Sequence, residues 1–319
     1  MLLRSLLAGA ATALAAAALL AFPARAADPV FPLASHVGLA VPGTMKPSPN
    51  FRGFVDPDSG TSILILEMPP PLYPKIEGEM STEGLKKQGM TEEKRETVTL
   101  KSGKALLIVG DQVTGDKKLR KWILLASGSE VGALIAVQIP QEAKAKYPDA
   151  DVRAMLMSLV VRASVPIDER LRLVPLTFGD LAGLRPFRVL GNSSVFLTEG
   201  ATDPKEVAAQ PLLIVSVAPG GPEEESDRAN FARELLFGMG DFKDLHIVGT
   251  DIIRLDSLQT YEIQAEAKDP KTDAAMKVVQ WVRFGHGAFV RFVGIARAEA
   301  WSEAFPKFRA VRDGVKPRS

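Results

Sequence analysis

The chain has 319 residues, 46% hydrophobic and 24% charged, enough for two domains with sizeable cores. Its 39 Lys and Arg balance 38 Asp and Glu, so it lacks the field that draws a protein to nucleic acid or anionic lipid. Cysteine is absent, which excludes disulfides, thiolate metal sites, a cysteine nucleophile and a lipidated N-terminal cysteine.

Residues Met1–Ala26 open with Arg4, continue through an Ala/Leu-rich run from Leu6 to Phe22 and end in Ala24-Arg25-Ala26. That order is expected of a secretory signal peptide cut before Ala27, a retained anchor being the alternative. Without Arg4 and Arg25 the chain carries 37 basic and 38 acidic side chains, a net charge of −1. No later segment reaches the roughly 18 apolar residues of a spanning helix. The expectation is a periplasmic protein with no membrane insertion after signal removal.

A Pro-containing, charged joint at Ser164–Leu173 divides the rest into expected domains over 27–165 and 166–319. In the first, His36–Pro42 and Phe51–Asp56 read as strands. Asp56-Pro57-Asp58-Ser59-Gly60 is a turn, with Pro57 fixing φ and Gly60 free to take positive φ. A calcium loop needs a ligand where Gly60 stands, so no metal is expected there. Thr61–Glu67 is a β-branched strand. Met68–Pro74, with four prolines, reads as a stiff extended segment: a rigid loop over the sheet edge, or one that presents Leu72 and Tyr73 to a partner. A short helix over Ser81–Gly89 follows, capped by Ser81 or Thr82. Strands come next at Lys94–Leu100, Ala105–Val113, Leu119–Ala126 and Val131–Ile139. A helix from Pro148 buries Val152, Met155, Leu156 and Leu159.

The second domain repeats the order. Strands at Leu184–Leu190, Ser193–Thr198 and Leu212–Val217 precede an acidic run, Glu223–Asp227, that suits a helix start. Ala232, Leu235, Leu236 and Met239 form that helix's buried stripe. Strands follow at Leu245–Val248, Leu258–Ala265, Met276–Phe284 and Ala288–Ala296. Trp301, Ala304, Phe305 and Phe308 share a helical face, which Pro306 is expected to split into a turn and a short helix. Gly128 and Gly285, at the tips of matching apolar hairpins, stand 157 positions apart, Gly103 and Ser257 stand 154 apart, and the aromatic-Pro pairs Tyr147-Pro148 and Phe305-Pro306 stand 158 apart. One small α+β unit is used twice.

No phosphate loop, zinc-protease motif or nucleophile elbow is present. Gly128-Ser129-Glu130-Val131-Gly132 carries Glu130 where an elbow needs serine. His36, His246 and His286 are scattered, so no catalytic residue, metal or cofactor is expected. One candidate surface emerges. If the Gly285-His286-Gly287 turn is symmetric about His286, Trp281 faces Arg291 and Arg283 faces Phe289, and all four share one sheet face. Arginines over aromatic rings would wall a site for an anionic or aromatic ligand; the alternative is that Arg stems cover the sheet beneath a helix. The matching pairs in the first hairpin, Trp122/Ile135 and Leu124/Ala133, are plain core.

Phe51–Leu66, FRGFVDPDSGTSILIL, resembles the early strands of the PsbP-like superfamily, which carry an aromatic-x-Asp-Pro turn before a β-branched strand. In the second half Gly191-Asn192-Ser193 replaces that turn. The resemblance implies two tandem α-β-α sandwich domains, each a mainly antiparallel sheet flanked by helices. The superfamily includes an extrinsic lumenal subunit of photosystem II, a Ran-binding nuclear protein and bacterial envelope proteins. It therefore implies binding or assembly on an envelope protein, with no shared catalytic residue. The rival readings are an enzyme with a site between the units and a small-molecule carrier.

Overall fold

The computed structural model describes residues 28–200, 209–240, 242–285 and 287–318. The signal-peptide reading and His286 lie outside the described residues. The chain forms two compact units, one holding Gly38–Val160 and the other Phe31–Val37 with Val161–Ser319. Each has one seven-stranded sheet, antiparallel throughout, among the described residues.

The first sheet contains β1 (Lys46–Pro47), β2 (Gly53–Val55), β3 (Ser62–Met68), β4 (Met90–Leu100), β5 (Gly103–Thr114), β6 (Lys117–Ala126) and β7 (Gly132–Pro140), in spatial order 1-2-3-7-6-5-4. Helices α1 (Tyr73–Glu79) and α2 (Thr82–Lys87) follow β3, and α3 (Asp149–Met157) follows β7. Leu85 of α2 packs with Met90, Ile108 and Ile123 on one face. Because side chains alternate, Trp122 and Leu124 of β6 point the other way, where α3 buries Val152, Met155 and Leu156. A sheet covered on both faces explains why β6 is apolar on both. Ser81 caps α2 by accepting from the Gly84 N–H at 3.2 Å.

The second sheet contains β8 (Arg185–Leu190), β9 (Ser194–Thr198), β10 (Leu212–Pro219), β11 (Lys243–Leu255), β12 (Leu258–Lys268), β13 (Ala275–Gly285) and β14 (Ala288–Arg297), in order 8-9-10-14-13-12-11. Helix α4 (Ile167–Leu171) precedes it, α5 (Glu225–Phe237) covers Tyr261, Ile263, Val278, Val282 and Val293 on one face, and α6 (Trp301–Gly314) covers Val279, Trp281, Phe292 and Ala296 on the other. The result is two α-β-α sandwiches of one topology.

The likeness extends to register. In the first hairpin Leu119 pairs with Pro140 and Ala126 with Ala133. In the second, Met276 pairs with Arg297 and Arg283 with Val290, each residue 157 positions on. β5 and β12 match at an offset of 155, since Ala105 pairs with Ala126 where Thr260 pairs with Arg283. That replaces the expected 154, and the longer Asp269–Ala274 loop supplies the other two positions. Both outermost strands also carry a bulge at the same place, between Glu92 and Lys94 in β4 and between Ile247 and Gly249 in β11.

Four local expectations are corrected. The proline segment is not extended: Pro70–Leu72 forms a 3₁₀ turn that opens directly into α1, with proline in the first turn, where its missing N–H costs nothing. Pro306 does not split α6, which runs unbroken from Trp301 to Gly314. Trp301, Phe305 and Phe308 are all packed against the core there, and that packing outweighs the roughly 3 kcal/mol of an interior proline. Part of the charged joint, Ile167–Leu171, is helical. The strand expected at Leu245–Val248 continues for 13 residues.

Candidate functional site

The sheet face built on Trp281, Arg283, Phe289 and Arg291 does not form. Gly285 pairs with Ala288, leaving a two-residue turn, so Trp281 faces Phe292, Arg283 faces Val290, Val282 faces Arg291 and Phe284 faces Phe289. A slip of one residue from the symmetric turn sends one strand's side chains to the opposite face. Trp281 and Arg283 therefore lie under α6, and Phe289 and Arg291 lie toward α5.

Trp281, Arg283 and Arg291 each tie the sheet to a neighbouring element. Trp281 is wholly buried, its Nε1 donates to Glu262 Oε2 at 2.6 Å, and the Arg312 guanidinium lies 4.7 Å from its ring centre. Arg283 Nη2 donates to the Val315 carbonyl at 2.9 Å, just past the end of α6. Arg291 donates to Gln280 Oε1 and to the Leu235 carbonyl, both at 2.8 Å. Gln280 in turn donates to the Ala232 carbonyl at 2.7 Å. A cation among the last carbonyls of α5 is favoured by the helix dipole, although burial lowers the Arg291 pKa to about 10. Tyr73 is half-buried as the first residue of α1, with its hydroxyl 3.5 Å from Glu77 Oε1.

Two polar clusters in the first unit were not foreseen. Asp56, 0% exposed, accepts from Tyr147 Oη at 2.5 Å, Ser59 Oγ at 2.6 Å and Lys146 Nζ at 2.7 Å. The Lys146, Ser59 and Tyr147 donors hold its carboxyl well below the usual range. This clamps the Asp-Pro turn, with Gly60 at φ +68°, to the segment before α3. Arg120, 3% exposed, is fastened to Glu93, to Asp149 Oδ2 at 2.6 Å and to Asp111 at 3.5 Å. Burial opposes its charge, and the bonds to Asp149 and Glu93 outweigh that and raise its pKa. Beside it lies a cavity of about 230 Å³ walled by Glu96, Arg153 and Trp122. The matching cross-strand pair in the second unit, Lys277 and Glu266 at 3.6 Å, is solvent-exposed.

The feature that separates the halves is the outermost strand. In β4 the stretch from the bulge onward reads Glu92-Glu93-Lys94-Arg95-Glu96, tied up by Arg95–Glu92, Arg120–Glu93, Lys94–Glu96 and Arg153–Glu96 ion pairs. Charges of this density blunt a sheet edge. At the matching positions β11 reads Ile247-Val248-Gly249-Thr250-Asp251, followed by Ile252-Ile253. Val248 is 54% exposed and Ile252 56%. Between β11, β12 and α5 lies a groove of about 320 Å³ whose lining joins Ala229, Ala232, Ile252 and Ile263 with the charged Arg233, Asp251 and Glu262. The small Ala229 and Ala232 leave the space that larger side chains of α5 would fill. Its signal was present in the chain as the loss of charge between the two copies of this strand. A larger depression of about 620 Å³ beside Ser59 is lined mostly by polar groups, including Lys117, Lys118 and Glu142.

Among the described residues no group of three or more His, Asp or Glu is placed to hold a metal ion. No helix among them is long and apolar enough to cross a membrane.

No family model matches the chain, and no curated protein does. Solved structures do. The Synechocystis protein CyanoP, a cyanobacterial PsbP, matches at 12% identity over 45% of this chain and 82% of its own, with a TM-score of 0.30. LpqN, described as involved in cell envelope biogenesis of Mycobacterium tuberculosis, matches at 10% identity over 49% of this chain and 99% of its own, TM-score 0.32. The type VI secretion immunity protein TplEi of Pseudomonas aeruginosa matches at 9% identity over 91% of this chain and 97% of its own, TM-score 0.29.

Proposed function

We propose that this chain is a tandem PsbP-like binding protein of the cell envelope, exported by its leader, with a protein as partner. The second unit does the binding, at the groove beside β11, and the first is a charged scaffold. One observation carries the reading: two sheets of one topology and one register differ where an edge meets solvent. The β4 edge is covered with paired charges, while the β11 edge exposes Val248 and Ile252, and Ile252 lines a groove with Ala229, Ala232 and Ile263. Exposed apolar surface rimmed by polar groups marks a contact surface.

The test places a photo-crosslinking residue at Ile252, and in a second strain at the matching Thr97, with the protein in its own envelope. Ile252 is expected to yield discrete adducts whose crosslinked peptides map to one partner surface, and Thr97 to yield none. Equal labelling from both positions, or none from either, refutes the assignment.

A further inference from the structure

We infer that the partner arrives as an added β-strand along Gly249–Leu255, and that the Asp251 carboxylate is the group it displaces. This rests on the groove reading above. β11 ends the spatial order of its sheet, so every second residue turns its N–H and C=O away from β12. At Ile252 that backbone N–H is met by Asp251 Oδ1 at 2.8 Å. A carboxylate folded back onto its neighbour's N–H occupies the place where an incoming strand's carbonyl would bond. Regular pairing with β12 runs from Gly249 to Leu255, beyond the bulge, which is the length an added strand can follow.

The side chains specify the occupant. Thr250, Ile252 and Arg254 alternate onto the face toward α5, because Ile253 packs into the opposite core. Ile252 and the groove take an apolar side chain. Arg254 stands two residues along, and Arg233 lines the groove from α5. Among the described residues neither guanidinium has a carboxylate partner, and Arg233 bonds only Asn230 Oδ1 at 3.0 Å. The fitting ligand is an extended peptide with an apolar residue opposite Ile252 and a carboxylate two positions along, opposite Arg254. It is held by main-chain bonds, with alternate side chains giving specificity.

A displayed library of random linear nine-residue peptides, selected on the purified protein, tests this directly. The expected winners have an apolar residue with an Asp or Glu two positions from it. Their affinity, read by fluorescence polarisation, should fall at least tenfold with Ile252→Lys and with N-methylation of alternate peptide nitrogens. It should rise severalfold with Asp251→Ala. Peptides that lose binding in Ile252→Lys but ignore N-methylation and Asp251→Ala would overturn strand addition while leaving the groove as the seat. Winners indifferent to Ile252→Lys, or no enrichment, would overturn both. A concentration-dependent dimer abolished by Ile252→Lys in sedimentation would put a second copy of this chain on the edge and overturn the peptide partner. Both sites are exposed, so unchanged melting curves check that the variants fold.

Discussion

Trp122 and Trp281 both face the C-terminal helix of their own unit, but their indole nitrogens differ. Trp281 Nε1 donates to Glu262, whereas Trp122 Nε1 is buried without an acceptor among the described residues. Trp→Phe empties part of a buried site in either unit, and at Trp281 it also takes a hydrogen-bond donor from the Glu262 carboxylate. Trp281→Phe should therefore lower the urea midpoint further than Trp122→Phe does, and equal shifts would show that the Glu262 bond adds nothing. Asp56 makes a pH prediction. Its folded pKa is depressed, so its contribution is fully present above the unfolded value of about 3.9 and is lost as pH falls below it. The urea midpoint of the wild-type protein should drop between pH 5 and pH 3, and Asp56→Asn should flatten that drop. An equal drop in both proteins would show that the Lys146–Asp56–Tyr147 clamp carries none of it. Arg291 shows why side-chain roles were harder to read than strands. Which face it occupies depends on whether the turn holds two or three residues, and Gly285-His286-Gly287 fits either.

At the scale of elements, α6 lies close on its sheet because β14 carries a glycine beneath it. A Cβ on Gly294 would stand 2.4 Å from the Phe308 ring, which is fully buried. Gly294→Ala should cost about 1–3 kcal/mol through overpacking, read as a lower melting temperature, and Phe308→Leu in the same chain should recover part of it. If Gly294→Ala melts like wild type, α6 is not held at this spacing. Strands with strong alternation or continuous apolar runs, such as β6, β7, β13 and β14, were legible within a residue or two. So was α3, from Val152, Met155 and Leu156. What escaped was set by tertiary packing: the helix through Pro306, the helical turn from Pro70, and the full reach of β11, where Gly249 and Asp251 disfavour a strand.

For the whole molecule, two sandwiches share a register while their outer strands differ in charge, and that allows a graft. Val248→Glu with Ile252→Thr brings the β11 edge to the β4 pattern at Glu93 and Thr97. Both positions are solvent-exposed, so stability should change by no more than about 0.5 kcal/mol, whereas crosslinking from the second edge should cease. Persistent crosslinking at Thr250 in the grafted chain would move the contact elsewhere. The repeat was visible from the Gly128 and Gly285 spacing alone. The contrast between the two outer edges was present only as a loss of charge from Glu92–Glu96 to Ile247–Asp251, and it took the strand order to show that these stretches are edges.

The bulge between Ile247 and Gly249 sets a ruler. Past it, seven residues at about 3.3 Å each give a landing strip of roughly 23 Å, and the extra residue coils the chain away before it. On the proposed seat, a guest strand would end at the bulge rather than zip onward toward the N-terminal end. The same kink would then shorten the edge left open to strand-on-strand stacking.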